Sequence, residues 1–295
     1  MRVSLSEFEN HMNQLDSLRA AIAAADTGSF SAAARALAVP LATLSRKVAD
    51  LETHLGTALF VRTSRKLQIT EAGQAYVIAA RRVLDDLADA DRGARGEYQT
   101  PRGELAIAAP IVFGRLHVLP IVNELLRTYP EITARLVLSD RYANLVDDHL
   151  DVAVRIGELA DSSMIATRVG GVRRIACASP AYLAAHGRPR RPADLVRHAC
   201  IATTTDAWQF ATTSIAVRPR LFVSTAEAAI DAARAGIGIA RLLSYQVNDR
   251  ALVRVLGSFE PLALPVHIVR APTLVTRKLR VFLDLAGSRL RAALP

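Results

Sequence analysis

Five apolar residues, Leu41, Leu44, Val48, Leu51 and Leu55, step by 3, 4, 3 and 4 between the dipeptide Val39-Pro40 and Gly56. That spacing keeps one face of a helix apolar. A residue before proline is biased away from the helical region, proline suits a first helical turn, and glycine suits the residue past a helix end. Upstream, Leu15, Leu18, Ala21, Ile22 and Ala25 repeat at helical spacing into Thr27-Gly28. Ser29-Phe30-Ser31 then offers an N-cap hydroxyl ahead of Phe30, Ala33, Ala34 and Leu37. The spacing predicts three helices, the last two joined by a tight turn that brings a short helix against a longer one.

The polar face of the third predicted helix reads Ala42, Thr43, Ser45, Arg46, Lys47, Ala49 and Asp50, with its small and basic residues in the N-terminal half. An isolated basic pair is an ordinary solvated face. Placed at the head of the second helix of a helix-turn-helix, it can enter a major groove and touch base edges and phosphates. Leu59 to Thr70 adds two short β-prone runs around Arg62-Thr63-Ser64-Arg65-Lys66, a basic tip that reads as a wing for backbone or minor-groove contact. The candidate DNA contacts are Ser31, Pro40, Leu41, Thr43, Ser45, Arg46 and Lys47 together with that tip, and Ala42 completes the leading turn.

Charge supports a focused footprint and not a basic half. The chain of 295 residues carries 37 Lys and Arg against 28 Asp and Glu, a net charge of +9. Residues 1–100 hold 12 of each sign, so the excess lies downstream, but residues 31–70 hold six basic side chains against Asp50 and Glu52. At 51% hydrophobic and 22% charged residues the chain can bury a core without staples, which excludes whole-chain disorder. Its two cysteines, Cys177 and Cys200, support neither a disulfide framework nor a thiolate metal site. The opening MRVSLSEFENHMNQ has no apolar core of a signal peptide, and no long apolar run occurs, so a cytoplasmic protein without membrane contact is expected.

From Thr70 an unbroken helical pattern runs to about Tyr98. Tyr76, Ala80, Val83, Leu87 and Ala90 step by 4, 3, 4 and 3, a thin seam that pairs most simply with a second copy, with packing against the C-terminal part as the alternative.

Residues 104–295 alternate β-branched and helical runs: Leu105 to Ala109, Phe113 to Tyr129, Ile132 to Leu138, a helix over Tyr142 to Asp148, and Val152 to Ile156. This is an α/β pattern with a mainly parallel sheet, whose ligands sit at strand carboxyl ends. Gly236-Ile237-Gly238 lacks the third glycine of a dinucleotide fingerprint, since Arg241 stands there, and reads as a helix-to-strand turn. No Walker loop, H-E-x-x-H, G-x-S-x-G or paired-histidine spacing occurs, so no catalytic residue, metal site or cofactor is expected and the chain is not read as an enzyme.

Asn13 to Ile22, Thr27-Gly28-Ser29-Phe30-Ser31-Ala32-Ala33-Ala34, Leu44-Ser45-Arg46, Leu51-Glu52, Leu55-Gly56, Leu59-Phe60-Val61-Arg62 and Leu67 to Gly73 together resemble the winged helix-turn-helix of LysR-type transcriptional regulators. The resemblance continues through Ala109-Pro110, Leu138-Ser139-Asp140, Asp151 to Gly157, Ser179 to Leu183, Gly236 to Ile239 and Leu264 to His267. Val39-Pro40-Leu41-Ala42-Thr43 matches a branch in which proline opens the recognition helix. Leu41 replaces the polar residue usual early in that helix, so specificity shifts to Thr43, Ser45, Arg46 and Lys47.

The resemblance implies a winged helix-turn-helix over 12–70, a linker and dimerisation helix over 71–98, and a two-lobed periplasmic-binding-protein-like domain over 104–295. Its first lobe would span about 104–172 and 265–295, its second about 173–264, and residues 1–11 would be an extension without assigned use. Implied partners are double-stranded promoter DNA, a small-molecule effector, a second copy in a dimer or dimer of dimers, and RNA polymerase as a further candidate. Near the cleft the expected residues are Pro110, Ile111, Val112, Phe113, Arg155 and Ile156 in the first lobe. Thr203, Thr204, Thr205, Trp208 and Thr225 are their counterparts in the second, where strand surface, capping and core packing compete as explanations. Ile111-Val112 stands where a hydroxyl is common, which disfavours a carboxylate effector. A small-molecule-binding protein with a degenerate DNA-binding head is the alternative reading.

Overall fold

The structure, a computed structural model, describes residues 5–62, 67–94, 100–141, 144–159, 163–247 and 251–294. The chain divides into two compact units, Met1–Gln99 and Thr100–Pro295.

In the first unit, α1 (Leu5–Thr27), α2 (Phe30–Ala36) and α3 (Leu41–Leu55) are followed by β1 (Phe60–Arg62), β2 (Leu67–Ile69) and α4 (Glu71–Ala94). The first helix starts at Leu5, well before the expected boundary at residue 12: the segment has no glycine or proline to stop a helix, and Leu5, Phe8, Met12 and Leu15 step by 3, 4 and 3, a helical period that runs straight into the expected one. Its buried residues include Ala20, Ala21 and Ala24, whose small side chains let α2 and α3 approach closely, with Leu44, Val48 and Leu51 filling the core from α3. Ser29 caps α2, its hydroxyl accepting from the Ala32 N–H at 3.4 Å. Ala38 makes the turn into α3 at φ +52, a left-handed conformation costly for a residue with a Cβ. Pro40 is the N-cap of α3 and not its first helical residue; its carbonyl accepts from the Leu44 N–H at 3.1 Å.

The wing strands pair antiparallel with Phe60 opposite Ile69 and Arg62 opposite Leu67. Two groups lock them to the helices. The Glu52 carboxylate accepts from the N–H groups of Leu59 at 2.8 Å and Phe60 at 3.0 Å. Thr70 caps α4, accepting from the Gly73 N–H at 2.9 Å while donating to the Ala58 carbonyl at 2.8 Å. A Cβ on Gly73 would stand 2.1 Å from the Leu59 carbonyl oxygen, so only glycine lets α4 approach the wing this closely.

The second unit holds two five-stranded mixed sheets. The first comprises β3 (Gly103–Ala109), β4 (Ile132–Leu138), β5 (Val152–Ile156), β6 (Ile165–Val172) and β14 (Leu264–Arg270) in the order β4-β3-β5-β14-β6. The second comprises β7 (Arg174–Ala178), β8 (Cys200–Ala202), β11 (Pro219–Phe222), β12 (Ile239–Leu243) and β13 (Val253–Val255) in the order β11-β8-β12-β7-β13. Pairings leave four strands of each sheet sharing a direction, with β14 and β7 reversed. The chain passes from β6 through Arg173 into β7, and returns to the first sheet as β14. A small hairpin, β9 (Ala207–Gln209) with β10 (Ser214–Ala216), lies on the second lobe.

Between β3 and β4 the chain forms α5 (Ile111–Phe113), a π-helical turn over Gly114–Val118, and α6 (Leu119–Thr128). The tight approach at Gly114, where a Cβ would meet Leu138 at 2.2 Å, accompanies that extra residue per turn. α9 (Arg277–Ala293) closes the first lobe, with Arg289 bonded to both oxygens of Glu124 on α6 at 2.6 and 3.0 Å. The second lobe carries α7 (Pro180–His186) and α8 (Ala226–Arg234). The helix expected over Tyr142 to Asp148 is instead a turn over the described residues 145–149, into which Asn144 donates from its N–H to the Asp148 carboxylate at 2.8 Å and from Nδ2 to the Asp147 carboxylate at 2.5 Å. These polar side chains compete with helical backbone bonding.

Candidate DNA-binding head and effector cleft

The recognition surface follows from which face of α3 the core consumes. Leu44, Val48 and Leu51 are buried, and Leu55 packs partly against them. Leu41, expected to join that face, is 47% exposed: it is the first residue of the helix, and the buried stretch of the face begins a turn later at Leu44. Leu41, Ala42 and Pro40 therefore lead the helix on the surface, with Thr43 and Ser45 half-buried behind them. Arg46 is exposed and makes no ion pair or hydrogen bond among the described residues. Its neighbour is different. Lys47 Nζ lies 2.9 Å from Asp16 Oδ2 on α1, with only 20% of the side chain exposed. Lys47 is thus part of the helix packing, a restraint on α3, and the outward-facing cation of the pair is Arg46. Ser31 is exposed on α2.

The tip residues Thr63, Ser64, Arg65 and Lys66, and the side chain of Arg62, lie outside the described residues. On α4 the seam divides. Tyr76 and Ala80 pack into the head's own core along with Leu84, whereas Val83 is 51% and Leu87 37% exposed. The side chain of Ala90 and residues 95–98 lie outside the described residues. Arg81 on α4 pairs with the Asp26 carboxylate on α1, tying the helix base to the head. The seam was misread because a 3-4 spacing marks one stripe, while α4 uses one end of it internally and leaves the other end outward.

In the second unit, Pro110, Arg155 and Ile156 meet at a cavity of about 110 Å³ at the carboxyl ends of β3 and β5. Ser139, Asp140 and Arg141, after β4, complete it. Asp140 Oδ1 accepts from the Ile111 N–H at 3.0 Å, and the Ser139 hydroxyl accepts from the Arg141 N–H at 3.1 Å. One donor of the first-lobe turn is therefore already taken by a carboxylate of the chain. The sequence singled out Ser139 and Asp140 only as family landmarks; their position one and two residues past a strand end was the available signal.

Phe113 is fully buried in the first lobe's core, and Val112 is 3% exposed. Trp208 is 1% exposed among Tyr182, Leu195 and Phe210, so it is a core residue and not a cleft wall: β9 turns its indole inward. Thr203, Thr204 and Thr205 follow β8, and Thr205 accepts from the Ala207 N–H at 3.0 Å. Thr225 caps α8, accepting from the Ala228 N–H at 3.3 Å. None of these threonines lines the 110 Å³ cavity. Arg241 on β12, met in the sequence only as the residue in place of a third glycine, has its pKa pushed down to about 10 by burial and by the nearby Arg174. Cys177 and Cys200 are buried and free, each pushed up to about 12 by burial. Gly236, at φ +76, ends α8, and a Cβ on Gly238 would stand 2.4 Å from the Ala199 carbonyl oxygen, so the pair shapes a helix-to-strand turn.

Two family models match the chain in sequence: the bacterial regulatory helix-turn-helix protein, lysR family, over residues 15–74, and the LysR substrate binding domain over residues 98–291. The chain belongs to the LysR-type transcriptional regulator family. It is 34% identical over 283 residues to the HTH-type transcriptional regulator CrgA of Neisseria meningitidis, covering 90% of this chain and 93% of that one. An HTH-type transcriptional regulator of Xanthomonas campestris is 38% identical over 178 residues, a match that spans 52% of that relative. The solved structure of N. meningitidis CrgA superposes with a TM-score of 0.60 at 30% identity, covering 93% of this chain and 98% of that chain. The winged head and two-lobed α/β domain are thus the architecture of this LysR-type chain. No described helix is long and apolar enough to cross a membrane.

Proposed function

We propose that this LysR-type chain is a DNA-binding transcriptional regulator that docks on promoter DNA through residues 12–70 and changes its binding or activity when a small-molecule effector enters the cleft of the 104–295 domain. The observation that carries the reading is the exposed leading face of α3, where Leu41, Ala42 and Arg46 stand clear of the core. A helix whose buried face docks on two others, and whose free face opens with small residues and a guanidinium that has no partner among the described residues, fits a major groove. Leu41 suits a thymine methyl and Arg46 a base edge or phosphate. Leu41 is what motivates the alternative of a degenerate head, and the exposed Arg46 on the same leading face argues against it.

The effector reading rests on the cavity at Pro110, Asp140 and Arg155. With the Ile111 N–H filled by Asp140, a carboxylate effector loses that backbone donor in the first lobe. The exposed Val83 and Leu87 support self-association through α4, as a dimer or dimer of dimers. RNA polymerase is the further candidate partner at a promoter, the protein works in the cytoplasm, and it performs no catalysis.

The test is a salt-titrated gel-shift on the chain's own upstream intergenic DNA against a scrambled duplex of equal length. Specific retention at physiological salt is the expected result. Equal, salt-erased binding to both duplexes would revive the degenerate-head reading.

A further inference from the structure

Charge is unevenly divided within the C-terminal unit. Residues 104–172 hold nine Asp and Glu against six Arg, whereas residues 173–264 hold twelve Arg against six Asp and Glu. Half of those twelve, Arg188, Arg190, Arg191, Arg197, Arg218 and Arg220, fall between His186 and Leu221, where Asp194 and Asp206 are the only acids.

The fold of the second lobe gathers these segments around Tyr182 on α7. The His186 ring stacks on the Tyr182 ring at 4.4 Å, His198 Nδ1 lies 3.3 Å from its hydroxyl, and Arg220 on β11 is close enough for its charge to act on it. From His186 the chain runs through Arg188, Arg190 and Arg191 into a 3-10 turn, Pro192–Arg197, that ends beside His198. The β9–β10 hairpin packs on that turn and leads into Arg218.

The surface is held in shape and its charge is unspent. Pro189 and Pro192 are buried and anchor the loop. The Asp194 carboxylate accepts from the N–H groups of Arg190 at 3.0 Å and Arg191 at 3.1 Å, and from Arg191 Nε at 3.2 Å. The one acid of the loop is thereby used to fix its backbone. Arg188 Nη2 donates to the Arg254 carbonyl at 2.6 Å. Arg188, Arg190, Arg197, Arg218 and Arg220 are exposed and make no ion pair among the described residues. A backbone already fixed lowers the ordering cost when such side chains meet a partner.

Guanidinium forks fit carboxylates and phosphates alike, so the surroundings select the partner. A protein interface needs an apolar core around its anchors, and over residues 187–198 Val196 is the one exposed large apolar side chain. A phosphate backbone needs none. Duplex DNA presents one charge per about 1.7 Å of axis, and Arg191 and Arg197 lie about 12 Å apart along the turn at about 2.0 Å per residue, a span that faces several phosphates.

We propose that this arginine face of the second lobe is a further, sequence-independent DNA contact, which holds the phosphate backbone of the duplex whose bases the head reads. It rests on the reading of the chain as a DNA-binding regulator. Phosphate contacts carry no sequence information, so the face adds affinity and salt dependence and leaves base preference to α3.

The experiment uses the full-length protein with the photo-crosslinker benzoylphenylalanine placed at Val196. A second sample carries it at Val146, a first-lobe side chain of matching exposure, 61% against 62%, that stands beside Asp147 and Asp148. Irradiated at low salt with the upstream or the scrambled duplex, the Val196 sample is expected to crosslink to both and the Val146 sample to neither. Arg190→Gln combined with Arg197→Gln is expected to weaken that crosslink and to lower the salt slope of binding by about 0.9 per lost phosphate contact. Both duplexes should respond alike, leaving the preference between them unchanged. A duplex retained without crosslinking at Val196, equal crosslinking at Val146, or an unchanged salt slope in the double variant overturns the proposal. Crosslinking to polyglutamate in preference to DNA overturns it too, and would assign the face to an acidic protein. These outcomes leave the regulator reading standing, whereas loss of retention on every duplex overturns both.

Discussion

Lys47 on the recognition helix reaches back 2.9 Å to Asp16 on the first helix, while its neighbour Arg46 points outward without a partner among the described residues. Two adjacent basic residues therefore carry different work. Arg46→Ala is expected to cost about 1–3 kcal/mol of operator affinity if it meets a base edge, or to lower the salt slope by about one if it meets a phosphate. Lys47→Met should cost about 0.2–1 kcal/mol of head stability, the range of exposed pairs. Gel-shifts at several salt concentrations, beside thermal melts of the same variants, separate the two; loss of affinity in Lys47→Met equal to that in Arg46→Ala would contradict the division.

Gly73 sits where α4 meets the wing, and a Cβ there would collide with the Leu59 carbonyl oxygen at 2.1 Å. Gly73→Ala ordinarily favours a helix by about 1 kcal/mol. Here the clash with backbone should reverse the sign and destabilise the head by about 1–3 kcal/mol, in the range of overpacking. Hydrogen exchange over residues 59–77 measures it: faster exchange at β1 and the start of α4 is expected.

The thiols of Cys177 and Cys200 are buried and pushed up to about 12, so almost no thiolate exists at neutral pH. Folded protein at pH 7.5 should resist iodoacetamide, with both cysteines labelling only after denaturant is added. Rapid labelling of either in the native state would show that its lobe opens locally.

Burial pushes the pKa of His117 down, and burial with a contribution from His186 does the same for His198. A histidine depressed in the folded state is favoured there as the neutral form. Its contribution is fully present above the unfolded value of about 6.5 and lost as pH falls below it. Urea unfolding of the C-terminal transition should therefore show stability falling between pH 7 and 5. His117→Leu, which keeps an apolar group against Phe113 and Tyr245, should make that slope shallower.

Apolar period made the fold of the head legible. The step of Leu44, Val48 and Leu51 gave the buried face of α3, and Ser29 gave the cap of α2. The same signal misplaced Leu41 and the α4 seam, because period marks a stripe without saying how far along it a neighbour reaches. The start of α1 at Leu5 was missed although Leu5, Phe8, Met12 and Leu15 step by 3, 4 and 3, so the signal was present upstream of the expected boundary. In the C-terminal unit the strands β3, β4 and β5 stand where β-branched runs placed them. Less of the cleft was legible: Asp140 and Arg241 matter through what the fold brings beside them, Ile111 and Arg174 respectively. Both partners are distant in sequence. Trp208 illustrates the converse, since an aromatic in a short strand can face either way until its neighbours are known.

The reversed strand β14 lies between β5 and β6 in the first lobe's sheet, although it is the last strand of the chain. During synthesis the first lobe is therefore left with a slot in the middle of its sheet while the whole second sheet is being made. The second lobe, drawn from one continuous stretch, can close first; the earlier-made lobe waits for residues 264–294 to enter the slot and cover it. A chain stalled or clipped before Leu264 would keep a complete second sheet and expose the open edges of β5 and β6, the kind of unpaired edge that recruits other strands.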